Sequence, residues 1–218
     1  MEKVAIFVDG SSFYFGLKRN NFPSRVDYHE LSKALAGPDR QLVRTYYFNS
    51  AYDPETAPEQ AKTQNAFYDS LRHAPNLDLR LGKLIHLQDG NFRPKGEKPL
   101  FAAELVYHCA SGYFDTAIVI TDDTEYAFVL QLVKELGRSV EICLFKDSQP
   151  SDLLKASDRM ISLPEVLAKF PKKIFPAADP DPEPGPEDNI GNRVSDKKPT
   201  KVKAPKSKNL LGNLLQNI

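Results

Sequence analysis

The chain has 218 residues, and 29 Lys and Arg stand against 29 Asp and Glu. Hydrophobic residues make up 41%, enough for a core, which excludes a wholly disordered chain. No run of 18 apolar residues suggests a membrane span, and two cysteines, Cys109 and Cys143, allow neither a disulfide framework nor a Cys-rich zinc site. Residues 1–10 lack the basic region and long apolar run of a secretory signal, so a reducing, cytoplasmic setting is expected.

Residues 3–8 (KVAIFV) form an apolar run that stops at Asp9-Gly10, the pattern of a buried strand. Helices are expected over 11–20 and 27–36, a strand over 42–49 and a helix over 57–74. Residues 77–84 alternate and predict a strand, followed by a small hairpin around Asp89-Gly90. A helix over 99–111, an apolar strand over 115–121 and a helix over 124–136, ended by Gly137, come next. A strand over 139–145 and a helix over 151–161 complete the series. Strands alternate with helices throughout, and the apolar strands need cover on both faces. That pattern predicts an α/β fold with a mainly parallel sheet flanked by helices.

Proline marks the boundary. Eight of the 17 prolines lie between Pro171 and Pro205, in an acidic stretch followed by a basic one. Neither stretch buries enough apolar surface to offset the entropy of ordering it. The expected organisation is a domain over 1–165, a disordered Pro- and charge-rich linker over 166–208, and a short apolar motif over 209–218. Leu210, Leu211, Leu214, Leu215 and Ile218 share one helical face there, which leaves a protein partner for this motif, and an oligomer, open. The neutral total also divides: residues 1–170 hold 20 basic and 23 acidic groups, and residues 171–218 hold 9 and 6. Neutrality is therefore no argument against a nucleic-acid partner.

Two strand ends carry acids. Asp9 closes the first strand, and Asp122 and Asp123 close the strand at 115–121, with Glu125 just beyond. In open parallel sheets, ligands bind beyond the carboxyl ends of strands. If the two strands are neighbours, Asp9 and Asp123 face one crevice, where a cation such as Mg²⁺ or Mn²⁺ relieves their repulsion and polarises a phosphodiester. An Asp at a strand-to-helix turn also serves as an N-cap, so both roles stay open. No GxxxxGK[ST] or GxGxxG motif is present.

The opening FVDGSSFYFGL and the segment GYFDTAIVITDDTEYAFVLQLVKELGRSVEI resemble the two signature blocks of NYN domains, FVDGxNLY and FDTAxLVSGDxDFxPLVxxLxxxGxxVE. NYN domains are PIN-like ribonucleases that include the LabA-like bacterial proteins. The resemblance covers about residues 1–165. It implies a PIN-like, Rossmann-like fold, a divalent metal (Mg²⁺ or Mn²⁺) and endonucleolytic hydrolysis of RNA phosphodiester bonds. Carried over by position, Asp9 and Asp123 are metal ligands, and Asp9, Asp123, Glu104 and Glu125 form the catalytic acids. Where the family has KGVD, this chain has Lys95-Gly96-Glu97-Lys98, so Lys98 stands at a usual Asp position. It removes a ligand and adds a positive charge. That departure keeps a second reading alongside the ribonuclease: a catalytically weakened NYN domain acting as an RNA-binding or protein-interaction module. Ser12, Arg93, Lys95 and Lys98 are the expected RNA contacts, and Tyr14 or Phe15 offers a ring for base stacking.

Overall fold

The computed structural model describes residues 1–148 and 150–175. Among these, seven strands form one sheet: β1 (Glu2–Asp9), β2 (Arg40–Ala51), β3 (Leu77–His86), β4 (Phe92–Lys95), β5 (Thr116–Ile120), β6 (Ser139–Leu144) and β7 (Arg159–Ser162). Their spatial order is β4-β3-β2-β1-β5-β6-β7. Every neighbouring pair is parallel except the β3–β4 hairpin. The α/β fold with a mainly parallel sheet is thus observed.

Strand β1 lies in the middle, and Val4 to Val8 are all buried. Val4, Ile6 and Val8 enter one core with Phe13, Leu17, Leu31, Tyr68 and Leu167. These come from α1 (Gly10–Arg19), α2 (Tyr28–Ala36), α3 (Pro58–Arg72) and α7 (Leu163–Lys169). Ala5 and Phe7 enter a second core with Phe101, Leu105, Leu130 and Leu153. Those come from α4 (Glu97–Ala110), α5 (Ala127–Glu135) and α6 (Ser151–Ala156). A strand covered on both faces needs an unbroken apolar run, which is why AIFV and AIVI read as they do.

Two expectations are corrected. The helix expected over 151–161 ends at Ala156, and residues 159–162 form β7 at the sheet edge. Asp158 starts that pairing: its amide donates to Val140 O and its Oδ2 accepts from Val140 N, both at 2.8 Å. A four-residue strand is too short to show a period, so tertiary pairing decides it. The linker expected from residue 166 also starts too early. Helix α7 and the short α8 (Pro171–Ile174) belong to the domain: Leu167 and Ile174 are fully buried, and Asp27 N donates to Ile174 O at 2.8 Å. The rest of that linker, 176–208, and the apolar motif, 209–218, lie outside the described residues.

Parallel pairing places the carboxyl ends of β1, β2 and β5 along one edge. From β1 the chain moves to β2 on one side and later reaches β5 on the other, so the crevice opens at a topological switch point. The β3–β4 hairpin rises past the end of β2, where Ala51 pairs with Lys83, and β4 returns the chain to the start of α4 at the same edge.

Candidate active site

Asp9 ends β1 and caps α1. Its Oδ1 accepts from Ser12 N at 3.1 Å, and its Oδ2 accepts from Ser12 Oγ at 2.9 Å and Thr121 Oγ1 at 3.0 Å. Burial of this carboxylate pushes its pKa above the ordinary 3.8; the bonds from Ser12 and Thr121 oppose that rise, and the charge of Asp123 adds to it. Capping and site-building are one arrangement here, since the cap turns the carboxylate into the crevice.

Asp123 comes from the adjoining strand end. It caps a 3₁₀ turn over Thr124–Tyr126, its Oδ1 accepting from Glu125 N at 2.9 Å. Its own amide donates to Thr121 Oγ1 at 3.1 Å. The Thr121 hydroxyl therefore links the two aspartates, donating to one and accepting from the backbone of the other.

Lys98, in the first turn of α4, reaches into this cluster. Its Nζ lies 2.5 Å from Asp123 Oδ2 and 3.1 Å from Glu125 Oε2. Burial works against the ammonium charge, but the bonds and charges of Asp123 and Glu125 outweigh it and raise its pKa. The Tyr126 hydroxyl reports the same field: burial, then Asp9, Asp123, Glu97 and Glu125, push its pKa far up.

Several sequence-predicted residues thus come together: Asp9, Ser12, Asp123, Glu125 and Lys98. Glu104 is placed elsewhere. It lies six residues beyond Lys98, about 9 Å along the helix axis, where Arg80 Nε donates to its Oε1 at 2.5 Å and His108 Nε2 lies 3.7 Å away. Asp78 and Arg44 extend that separate network. Its partners explain the placement, since the Arg80 guanidinium on β3 holds the carboxylate over the sheet. Arg93 and Lys95 stand exposed on β4, with Lys95 directly opposite the exposed Lys83 on β3. The acids next in sequence to Lys98 and Asp123, Glu97 and Asp122, have other partners. Glu97 Oε2 accepts from Ser50 Oγ at 2.7 Å, and Asp122 Oδ2 pairs with Arg19 at 2.8 Å.

Sequence reasoning missed Thr121, and Asn49 and Ser50 at the end of β2. Asn49 Oδ1 accepts from Ser11 Oγ at 3.2 Å and from Ser50 N at 2.8 Å. Their signal was available: two polar residues, Asn49 and Ser50, follow the aromatic run Tyr46-Tyr47-Phe48 at a third strand end. Tyr14 and Phe15 are half-buried and meet edge to face at 5.5 Å.

An open parallel sheet with paired strand-end acids at its switch point defines a Rossmann-like α/β domain. The NYN domain family model matches residues 3–164, and the chain belongs to that family. Its fold is similar to the crystal structure of a protein of unknown function from Vibrio parahaemolyticus. That match has a TM-score of 0.57 and 18% identity, over 74% of this chain and 93% of that one. No curated protein matches. No described helix is long and apolar enough to cross a membrane.

The family is one of PIN-like nucleases that generally use a divalent metal. Asp9 and Asp123 are the residues present for such an ion, yet they do not complete a site for it. Among the described residues no three His, Cys, Asp or Glu side chains gather as a metal-binding group. The oxygens of Asp9 are engaged by hydroxyl and amide donors, and Asp123 Oδ2 is engaged by an ammonium. This donor set does not fit the metal centre that the family implies.

Proposed function

We propose that this chain is an RNA-binding member of the NYN family in which metal-dependent hydrolysis is weakened. One observation carries the reading: the Lys98 ammonium lies 2.5 Å from Asp123 Oδ2 and 3.1 Å from Glu125 Oε2. A divalent ion needs oxygen ligands and repels a neighbouring ammonium, so Lys98 both removes a donor and opposes the ion. It offers a phosphate a point charge instead. The exposed Lys83, Arg93 and Lys95 lie on the hairpin that leads to the start of α4, and they supply sequence-independent attraction to a backbone of phosphates. The hydroxyls of Ser11 and Ser12, which donate to Asn49 and Asp9, would meet a phosphate oxygen by turning away from those acceptors.

A metal-dependent endoribonuclease is the second reading, favoured by the mutual repulsion of Asp9 and Asp123, which a cation would relieve. The two readings part in one experiment. Labelled single-stranded RNA is incubated with the full chain in EDTA, Mg²⁺ or Mn²⁺, and binding and cleavage are both followed. The expected result is binding in EDTA that weakens with salt, little cleavage, and at least tenfold more metal-dependent cleavage in Lys98→Asp. Mn²⁺ binding, followed by electron paramagnetic resonance, should tighten in the same variant and be lost again in Lys98→Asp with Asp9→Asn. Wild-type cleavage that needs metal, is abolished by Asp123→Asn and is not exceeded by Lys98→Asp would establish the ribonuclease instead.

A further inference from the structure

Helix α5 buries Val129, Leu130 and Val133, and its outer positions include the exposed Gln131 and Glu135. Phe128 breaks that pattern. It falls on the exposed side with 77% of its surface accessible, in the first turn of the helix. An amphipathic helix gains nothing in stability from a phenylalanine there, and local rules are typically broken at functional positions.

Its location gives the exposure a use. Phe128 lies three residues after Glu125, across the junction of the 3₁₀ turn and α5, and residues at that spacing share one side of either helix type, roughly 5–6 Å apart at Cβ in an α-helix. Glu125 Oε2 in turn lies 3.1 Å from Lys98 Nζ at the mouth of the crevice. On the other side of Lys98, the chain leads back through Gly96 to Lys95, and Lys83 and Arg93 share the exposed surface of the same hairpin. None of those three cations forms an ion pair with a described residue. The surface thus combines a basic ridge without ion-pair partners among the described residues, a crevice with an ammonium at its mouth, and an exposed aromatic ring.

We infer that Phe128 is a stacking platform for an unpaired base of single-stranded RNA whose backbone crosses the Lys98 crevice. The inference rests on the RNA-binding reading and deepens it by naming the form of RNA. Charge complementarity selects a polyanion, and the free ring selects one whose bases are available. A duplex keeps its bases stacked inside and offers this ring nothing, whereas a splayed base presents its π-face to any aromatic side chain. Stacking of this kind tolerates any base, so little sequence preference is expected from Phe128 itself.

The test uses the full chain, a fluorescein-labelled mixed-sequence RNA of 12 nucleotides, and the same RNA annealed to its complement. Stacking contributions measured by alanine substitution predict that Phe128→Ala weakens single-strand binding about fivefold to 100-fold. Duplex binding should change less than twofold, and the thermal midpoint should stay within about 2 °C because the ring is exposed. Phe128→Trp should keep the affinity. The chain has no other tryptophan, so its indole emission reads this position alone and should be quenched by the single strand. Equal single-strand affinity in wild type and Phe128→Ala, or indole emission indifferent to saturating RNA, overturns the inference and leaves RNA binding standing. Absence of RNA binding by the wild type overturns both. A change in sedimentation of Phe128→Ala without a change in RNA affinity would assign the ring to a second copy of the chain and likewise overturns it.

Discussion

Asp9 is held as a carboxylate by three donors, but its burial and the charge of Asp123 still raise its pKa above 3.8. A carboxyl group whose pKa is higher in the folded chain than in the unfolded one opposes folding once ionised. That cost is absent below about pH 3.8 and grows as pH rises through the folded pKa. Asp9→Asn keeps an oxygen for the Ser12 amide and removes the charge. It should therefore melt above wild type at pH 7, with the advantage shrinking toward pH 4, as thermal melts across that range would show. The same substitution removes a principal acid of the crevice, so a gain in stability is expected to accompany any loss of function. Lys98 sets the opposite case. Its ammonium offsets the charges of Asp123 and Glu125, so Lys98→Met should lower the melting temperature at low salt, with the difference shrinking as salt screens the acids.

The start of α4 is what places Lys98, and the β3–β4 hairpin is what places α4. Gly82 on β3 is required for this. A Cβ there would meet Glu97 N at 2.6 Å and Lys95 O at 2.7 Å, both backbone atoms that cannot swing aside. Gly96 then turns the chain into the helix at φ 96°, a conformation that suits glycine. Gly82→Ala should cost about 1–3 kcal/mol in urea unfolding, the usual range for overpacking. It should also weaken RNA binding, because the displaced element carries Lys98. Most elements were legible from the sequence, since β1 and β5 carry continuous apolar runs and α5 has a clear buried stripe. The strand that failed, β7, has only four residues. Its pairing with β6 through Asp158 and Val140 outweighs the local helical pattern.

The domain closes with α7 and α8. Ile174 is fully buried, Leu167 likewise, and Phe22 stacks on Phe175 at 6.0 Å. Each buried aliphatic side chain contributes about 1.5–3 kcal/mol. A chain ending at Glu165 should therefore melt at least about 5 °C below one ending at Phe175, a comparison in which both lack the residues beyond. With the boundary moved to 175, the charge division also changes. Residues 1–175 hold 22 basic and 23 acidic groups, so the contrast between an acidic domain and a basic remainder nearly vanishes. Local clustering, not domain charge, is then what matters for an RNA partner: acids around Asp9 and Asp123, cations on the hairpin.

Apolar runs and their spacing were enough to establish the α/β class, the parallel sheet and the two acid-bearing strand ends, because burial on both faces leaves a direct imprint on composition. The signature blocks were enough to point to the family. Neither route could say where long polar side chains end. Glu104 and Lys98 lie six residues apart on one helix, and only the neighbouring strand and turn decide that one meets Arg80 and the other Asp123. The same holds for Thr121, whose hydroxyl joins the two aspartates only because β1 and β5 are paired in register. Pattern is a property of short stretches of chain. The partner of a charged group is set by which elements the fold brings beside it.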